Sequence, residues 1–287
     1  MGPQAEDRRT ARRRSPPRGQ INVTDAAFRT LRLERSADGH VLTVMLHRPE
    51  VLNAMNTAMG EELLACFRGP AAGADVRAVI FTGAGDRAFC VGADLKERDG
   101  MSDETWRAQH AIFEQAAMAV LRCPAPVIAA VEGFALGGGW EMALLADFIV
   151  AGESAVFALP EVTRGIFPGV GGTQLLPRIV GAPLAKELIF TGRRVEAPEA
   201  RAVGLVNHLV PKGQARAKAA ELAATIAENG PVAVRQAKKA IAWGGETDLE
   251  TGMVLSIEAY NATVVTEDRL EGVRAFTERR KPRFRGR

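Results

Sequence analysis

The sequence has few cysteines, few aromatic residues and no long apolar run. Its cysteines, Cys66, Cys90 and Cys123, lie far apart and form no CxxC pair. This spacing argues against a disulfide framework and against structural zinc, and it fits a reducing compartment. No apolar run approaches the roughly 20 residues needed to cross a bilayer. We therefore predict a protein without a membrane partner, located in the cytoplasm, with the mitochondrial matrix as the alternative.

Histidine is also scarce. His40, His47, His110 and His208 show neither metal-ligand spacing nor the arrangement of a catalytic triad. They are most simply interpreted as surface or hydrogen-bonded core residues. The sequence therefore predicts no metal site.

The net charge of +3 is unevenly distributed along the chain. Residues 1–20 carry six arginines and two acidic residues, a net +4, and residues 274–287 carry seven basic residues and one acidic residue, a net +6. Because the whole chain carries only +3, the part between these ends carries −7. Nucleic-acid-binding folds place their basic stripe on the folded surface. Nucleic acid is therefore not the expected partner, and RNA binding through the basic ends is kept as the non-enzymatic alternative.

Apolar periodicity and turn residues predict alternating strands and helices, which is typical of an α/β fold. The predicted elements are a hairpin over 30–34 and 40–46, helices over 54–67 and 103–121, and strands over 76–81, 127–131 and 148–150. From about Pro183 the spacing predicts only helices, near 183–190, 215–228, 232–243, 248–261 and 264–279.

Two glutamates stand beside turn motifs. Glu141 follows the glycine triplet 137–139, and Glu161 follows Pro160. Glycines that lead into a helix leave backbone N–H groups uncovered at its N-terminus, where negative charge is favoured. A carboxylic acid beside such donors indicates a site that stabilises an oxyanion while moving a proton. Taken alone, each motif is also typical of a tight strand-to-helix turn or of a solvated loop.

Longer segments, in the same order along the chain, resemble those of the crotonase, or enoyl-CoA hydratase/isomerase, superfamily. They are Arg48-Pro49 with Leu52-Asn53-Ala54-Met55, then 88–97, 126–139 and 160–174. The match covers nearly the whole chain from about Leu31. The runs 93–98, 184–190 and 268–272 are most similar to the methylglutaconyl-CoA hydratase-like branch.

The resemblance implies repeated ββα units in a crotonase-like spiral, followed by an all-helical C-terminal region. We therefore predict a disordered basic tail over 1–20, a spiral core with the active site over 21–200, and a helical region over 201–287 that serves oligomerisation. The superfamily implies a homotrimer or homohexamer.

The resemblance also assigns roles to individual residues. The N–H groups of Ala93 and Gly138 would form the oxyanion hole. Glu141 would activate water, and Glu161 would deliver a proton to C2 of a 2-enoyl thioester. Isomerases of the superfamily commonly lack an acid at the position of Glu141. Enoyl-CoA hydration is therefore the leading hypothesis, with methylglutaconyl-CoA hydration or enoyl-CoA isomerisation as alternatives.

Coenzyme A is implied as part of the substrate, with no separate cofactor. The residues expected to contact it are Ala93, Asp94, Leu95, Lys96, Gly138 and Gly169. Of these, Asp94 is expected to fix a turn and Lys96 to meet phosphate, and the basic end around Arg280, Lys281 and Arg283 is a further candidate. Trp140 is an unusual residue for the superfamily, and we expect it to narrow the acyl pocket.

Overall fold

The computed structural model describes residues 28–287, so the predicted tail over 1–20 lies outside the described residues. The strands are β1 (Leu31–Arg35), β2 (Val41–Leu46), β3 (Ala78–Gly83), β4 (Ala88–Cys90), β5 (Val127–Val131), β6 (Phe134–Leu136), β7 (Phe148–Gly152), β8 (Val156–Ala158), β9 (Val195–Glu196) and β10 (His208–Val210). The helices are α1 (Thr57–Arg68), α2 (Leu95–Arg98), α3 (Asp103–Leu121), α4 (Gly138–Leu144), α5 (Gly172–Val180), α6 (Ala182–Thr191), α7 (Ala197–Ala202), α8 (Ala215–Ala227), α9 (Pro231–Gly244), α10 (Leu249–Val264) and α11 (Glu267–Thr277).

A six-stranded sheet in the order β1-β2-β3-β5-β7-β10 forms the larger layer. β1 and β2 form the predicted antiparallel hairpin, with Gly39 at a φ of +77° in the connecting turn. The remaining neighbours pair in parallel. Parallel strands covered on both faces are typically apolar throughout, which matches the fully buried β5.

The second sheet is smaller, with the order β4-β6-β8-β9, and its first three strands are parallel. Phe81 of β3 packs edge-on against Phe89 of β4, with ring centroids 5.3 Å apart, and so joins the two sheets. Because β4, β6 and β8 run in the same direction, their carboxyl ends lie side by side. The chain segments that leave these ends are therefore brought together.

Helix α8 covers the outer face of the larger sheet. Its buried side chains are all alanines, at positions 215, 219, 223 and 227. They pack against Ala78 and Ile80 of β3, whereas Val79 and Phe81 of the same strand point to the opposite core. This alternation is the two-residue period of a strand, and the small alanine side chains let the helix backbone approach the sheet closely.

The structure confirms the α/β fold and most of the predicted elements. The prediction of helices alone from about Pro183 was wrong in one respect, because β9 and β10 lie in that part of the chain. These strands have two and three residues, too few to show a period of two, and their sheet pairing determines them. From α8 onward the described chain is helical, ending in an irregular segment. No helix among residues 28–287 is long and apolar enough to cross a membrane.

We expect Ala219→Leu to destabilise the protein by about 1–3 kcal/mol, because added methylene groups have no space between α8 and the sheet. Urea unfolding measures this change. Ala220→Leu on the exposed side of the same helix is the matched control and should shift the midpoint far less. Equal effects of the two substitutions would show that α8 does not pack closely through its alanine face.

Candidate active site

Three neighbouring strands of the small sheet lead into the predicted site residues. Ala93 lies three residues after β4, Gly138 two residues after β6, and Glu161 three residues after β8. The first two segments touch, since a Cβ at Gly92 would lie 3.2 Å from the amide nitrogen of Gly138. Within the described chain, the amide N–H groups of Ala93 and Gly138 donate to no backbone acceptor. Both predicted oxyanion donors are therefore adjacent and uncommitted.

The glycine triplet is required by the geometry of the turn between β6 and α4. Gly137 has a φ of +54°, a conformation that side chains disfavour. A Cβ on Gly139 would lie 2.2 Å from the carbonyl oxygen of Cys90, so glycine allows α4 to pack directly on β4. Gly138 between them lines the cavity. The triplet thus positions one N–H donor at the start of a buried helix.

Glu141 lies in α4 with a side chain that is almost fully buried. Its Oε1 accepts hydrogen bonds from the backbone N–H groups of Val170 and Gly172, each at 2.8 Å. Burial raises the pKa of Glu141, while the two N–H donors oppose that rise. The carboxylate is therefore fixed in orientation by donors that favour its ionised form.

Glu161 begins a short 3-10 turn after β8 and has a different environment. Its Oε2 is buried without a hydrogen-bond partner. Burial raises the pKa of Glu161 to about 7, to which the nearby Glu141 charge adds, while Arg164 lowers it. Glu161 is therefore close to half protonated at neutral pH, and it lies beside Gly137, whose Cβ position is 3.0 Å from Oε1 of Glu161.

One cavity of about 410 Å³ joins these groups, a volume within the usual range for small-molecule sites. Six of the predicted site residues line it, namely Ala93, Leu95, Gly138, Glu141, Glu161 and Gly169. Among the residues that the structure describes, no cluster of His, Cys, Asp and Glu has the size needed to hold a metal ion.

Two predicted site residues do not line the cavity. Asp94 caps α2, accepting from the Lys96 N–H at 3.1 Å and from Arg48 at 2.9 Å, which is the expected turn-fixing role. Lys96 is exposed outside the cavity. The expectation that Trp140 narrows the acyl pocket was wrong. Its ring is fully buried behind α4 and packs against Phe157, with centroids 5.6 Å apart, because neighbouring residues on a helix face different directions.

The wall opposite the glutamates was missed by the sequence analysis. It includes Arg98 from α2 and the α3 side chains Trp106, His110 and Phe113. His110 was interpreted as a surface or core residue, yet its ring occupies the space that a side chain at Gly169 would fill, with that Cβ position 2.7 Å from the ring. The spacing of 106, 110 and 113 places these residues on one helix face, and this period was the available signal.

The sequence and the fold are similar to those of known proteins. The family model described as enoyl-CoA hydratase/isomerase matches residues 36–287. The chain belongs to the enoyl-CoA hydratase/isomerase family. A Bacillus subtilis protein whose name assigns it to the enoyl-CoA hydratases/isomerases is 46% identical over 247 residues, covering 86% of this chain and 95% of that protein.

Two further relatives represent the branch and the fold of the family. Mouse mitochondrial methylglutaconyl-CoA hydratase is 39% identical over 292 residues, covering 100% of this chain and 91% of that protein. The crystal structure of an enoyl-CoA hydratase from Bacillus anthracis superposes with a TM-score of 0.87 at 46% identity, covering 90% of this chain and all of that one.

We expect Glu161→Gln to stabilise the fold more at pH 8 than at pH 5, by a margin of about 1–2 kcal/mol. The folded pKa of about 7 exceeds the ordinary value of 4.5. Ionisation of the unfolded chain therefore erodes stability as pH rises between these values, an effect that glutamine lacks. Urea unfolding at both pH values measures the margin, and exposed Glu153→Gln is the control. The same gain at both pH values would contradict a raised pKa.

Proposed function

We propose that this protein is an enoyl-CoA hydratase, which adds water reversibly across the 2,3 double bond of a 2-enoyl-CoA thioester. One observation carries the proposal: two carboxyl groups in different environments face one cavity beside two uncommitted N–H donors. Adding water requires one group to take a proton from water and another to give a proton to carbon. Two carboxyl groups in different environments suit this division.

In the proposed mechanism, the thioester oxygen accepts hydrogen bonds from the N–H groups of Ala93 and Gly138. These donors stabilise the negative charge that develops on the oxygen and make C3 electrophilic. Backbone donors do not titrate, so this stabilisation is independent of pH. Gly138 carries no side chain that would keep the thioester away from its N–H group.

The two glutamates then divide the proton transfers. Glu141 is the base, because its two backbone donors favour the carboxylate and fix its orientation. It takes one proton from water as the water oxygen bonds to C3. Glu161 is the acid, because its buried and unpartnered Oε2 favours the protonated form. It gives a proton to C2, which restores the carbonyl.

The alternatives use the same cavity differently. An isomerase that shifts a double bond moves a proton between two carbons, for which one carboxylate is sufficient, so a buried Glu141 held by two donors favours hydration. Methylglutaconyl-CoA hydration uses the proposed mechanism on a branched acyl group, and it stays open as a choice of substrate. The cytoplasmic location also stays a prediction.

The coenzyme A portion of the substrate is proposed to leave the cavity beside Leu95 and to meet the exposed Lys96. The basic C-terminal end is a weaker candidate for binding coenzyme A than the sequence indicates. Arg280 is held by Glu271 and Glu278, each at 2.6 Å, so its charge is already paired. This pairing also leaves less free positive charge for the RNA-binding alternative.

We propose that copies of this chain assemble through an exposed apolar surface on α9, α10 and α11, called here the C-terminal apolar face. Of the 16 residues in α10, only Ala259 is buried. Exposed apolar surfaces of this kind mark interaction sites. The face includes Ile241, Leu249, Val254, Ile257, Tyr260, Val265 and Phe276, each more than half exposed in the single chain. Other copies of this chain would cover them, as the predicted homotrimer or homohexamer requires.

Glu141→Gln and Glu161→Gln should each lower kcat for crotonyl-CoA hydration by at least about 10², because an amide keeps the shape but cannot exchange the proton. Loss of the conjugated thioester absorbance measures the rate, and the exposed Glu153→Gln should retain wild-type turnover. If either cavity variant kept near-normal turnover with every enoyl-CoA tested, the mechanism with two carboxyl groups would be wrong.

The double variant Ile257→Asp and Tyr260→Asp should convert the wild-type oligomer into monomers, because charges on the C-terminal apolar face resist burial. Light scattering coupled to size-exclusion chromatography measures the mass. Leu121→Asp, at an exposed apolar position on α3, is the control and should leave the mass unchanged. A monomeric wild type, or an oligomer that survives the double variant, would refute the proposed assembly.

A further inference from the structure

Among the described residues, the partly buried cation Arg98 lines the proposed active-site cavity without an ion-pair partner. The guanidinium of Arg98 lies 4.1 Å from the ring centroid of Trp106 and 5.6 Å from that of Phe113. Its Nε donates to Oε1 of Gln109 at 2.8 Å. Within residues 28–287, neither Nη1 nor Nη2 of Arg98 has a hydrogen-bond acceptor or an ion-pair partner.

Gln109 fixes this arrangement. Its side chain is buried, and its Nε2 donates to Thr57 and to Oε2 of Glu97, each at 2.8 Å. The same Glu97 oxygen accepts from the Thr57 N–H at 2.9 Å. One carboxylate oxygen of Glu97 is therefore committed to other donors, and Glu97 acts on Arg98 only through longer-range attraction. The Gln109 amide oxygen accepts from Nε of Arg98 and leaves Nη1 and Nη2 available to a ligand.

The partly buried and unpaired guanidinium of Arg98 lowers the stability of the fold unless an anion binds beside it. Burial lowers the pKa of Arg98, which reflects partial loss of hydration around its charge. A desolvated charge is normally paired, and a planar guanidinium that is held by stacking offers two parallel donors that match a carboxylate. The other basic side chains of the cavity are placed differently, since His110 contacts Glu114 at 3.3 Å and Arg164 is exposed.

We propose that Nη1 and Nη2 of Arg98 bind a carboxylate at the far end of the acyl chain, so that the substrate class is the 2-enoyl-CoA thioesters of dicarboxylic acids. This inference rests on the proposed function. The acyl chain is the favoured source of the anion because Arg98 shares its wall with the apolar rings of Trp106 and Phe113, whereas the exposed Lys96 outside the cavity suits a hydrated phosphate. Arg98 is thereby a specificity-determining residue.

The test compares two saturated, unreactive ligands of nearly equal shape. Glutaryl-CoA ends in a carboxylate, and 5-methylhexanoyl-CoA ends in an isopropyl group. Titration calorimetry with the full-length protein measures both affinities. Arg98→Met should weaken glutaryl-CoA binding by about 10- to 100-fold, the range for a charge-assisted hydrogen bond, and change 5-methylhexanoyl-CoA binding by less than about threefold. Arg98→Lys should lose part of the selectivity, because a single ammonium cannot form the paired contact.

Arg107→Met is the matched control, because Arg107 lies next to Trp106 in α3 but points to solvent outside the cavity. It should leave both affinities unchanged. Equal loss of both ligands in Arg98→Met would assign Arg98 to the coenzyme A portion and overturn the proposal, as would no loss of either. If Arg98→Met does not fold, Arg98→Lys tests the proposal instead. Unchanged selectivity for glutaryl-CoA over 5-methylhexanoyl-CoA in that variant also overturns the proposal.

Turnover separates this proposal from the proposed function. The wild type should hydrate glutaconyl-CoA with a higher kcat/KM than 2-hexenoyl-CoA, and Arg98→Met should reverse that order. A wild type that hydrates neither thioester would refute the proposed function, while the calorimetric comparison would still decide whether Arg98 binds the carboxylate.

Discussion

The contact on which the candidate site depends is the pair of hydrogen bonds from the backbone of Val170 and Gly172 to Oε1 of Glu141. These bonds allow a carboxylate to exist almost without solvent, and they tie α4 to the segment that leads into α5. The same segment carries Gly169, which leaves space for His110. Fixing one carboxylate therefore also fixes the shape of the opposite wall.

Glu161 lies in the opposite environment, because no donor of the described chain reaches its buried Oε2. Among the described residues, only Arg164 and a backbone N–H oppose the effect of burial on the pKa of Glu161. Such unsatisfied groups are tolerated where function requires them, at some loss of stability. The pair thus combines one carboxyl group whose burial is opposed by two backbone donors with one whose pKa burial raises to about 7.

Sequence periodicity predicted the long elements, because their apolar spacing extends over several turns; α3 was predicted with its observed bounds. It missed β4, β6 and β8, each of three residues, although their carboxyl ends supply the predicted oxyanion donors and Glu161. Motif resemblance named those residues without their geometry. It could not name Arg98, His110 or Trp106 as one wall, because α2 and α3 meet only in three dimensions. Trp140 was expected at the cavity because it is adjacent to Glu141 in sequence. Consecutive residues of a helix face different directions, so the ring of Trp140 lies away from the cavity.

The larger sheet forms the packed core, and the small sheet positions the candidate site. The described strands of the larger sheet contribute no residue to the cavity, and their side chains are used on both faces for packing. The small sheet ends where the cavity begins, so the segments after β4, β6 and β8 supply the proposed oxyanion donors and Glu161. Acyl specificity is therefore best sought in α2 and α3, which close the cavity from outside the small sheet. These two helices supply neither oxyanion donor and neither glutamate, so substitutions in them can change substrate selection while the proton-transfer residues stay the same.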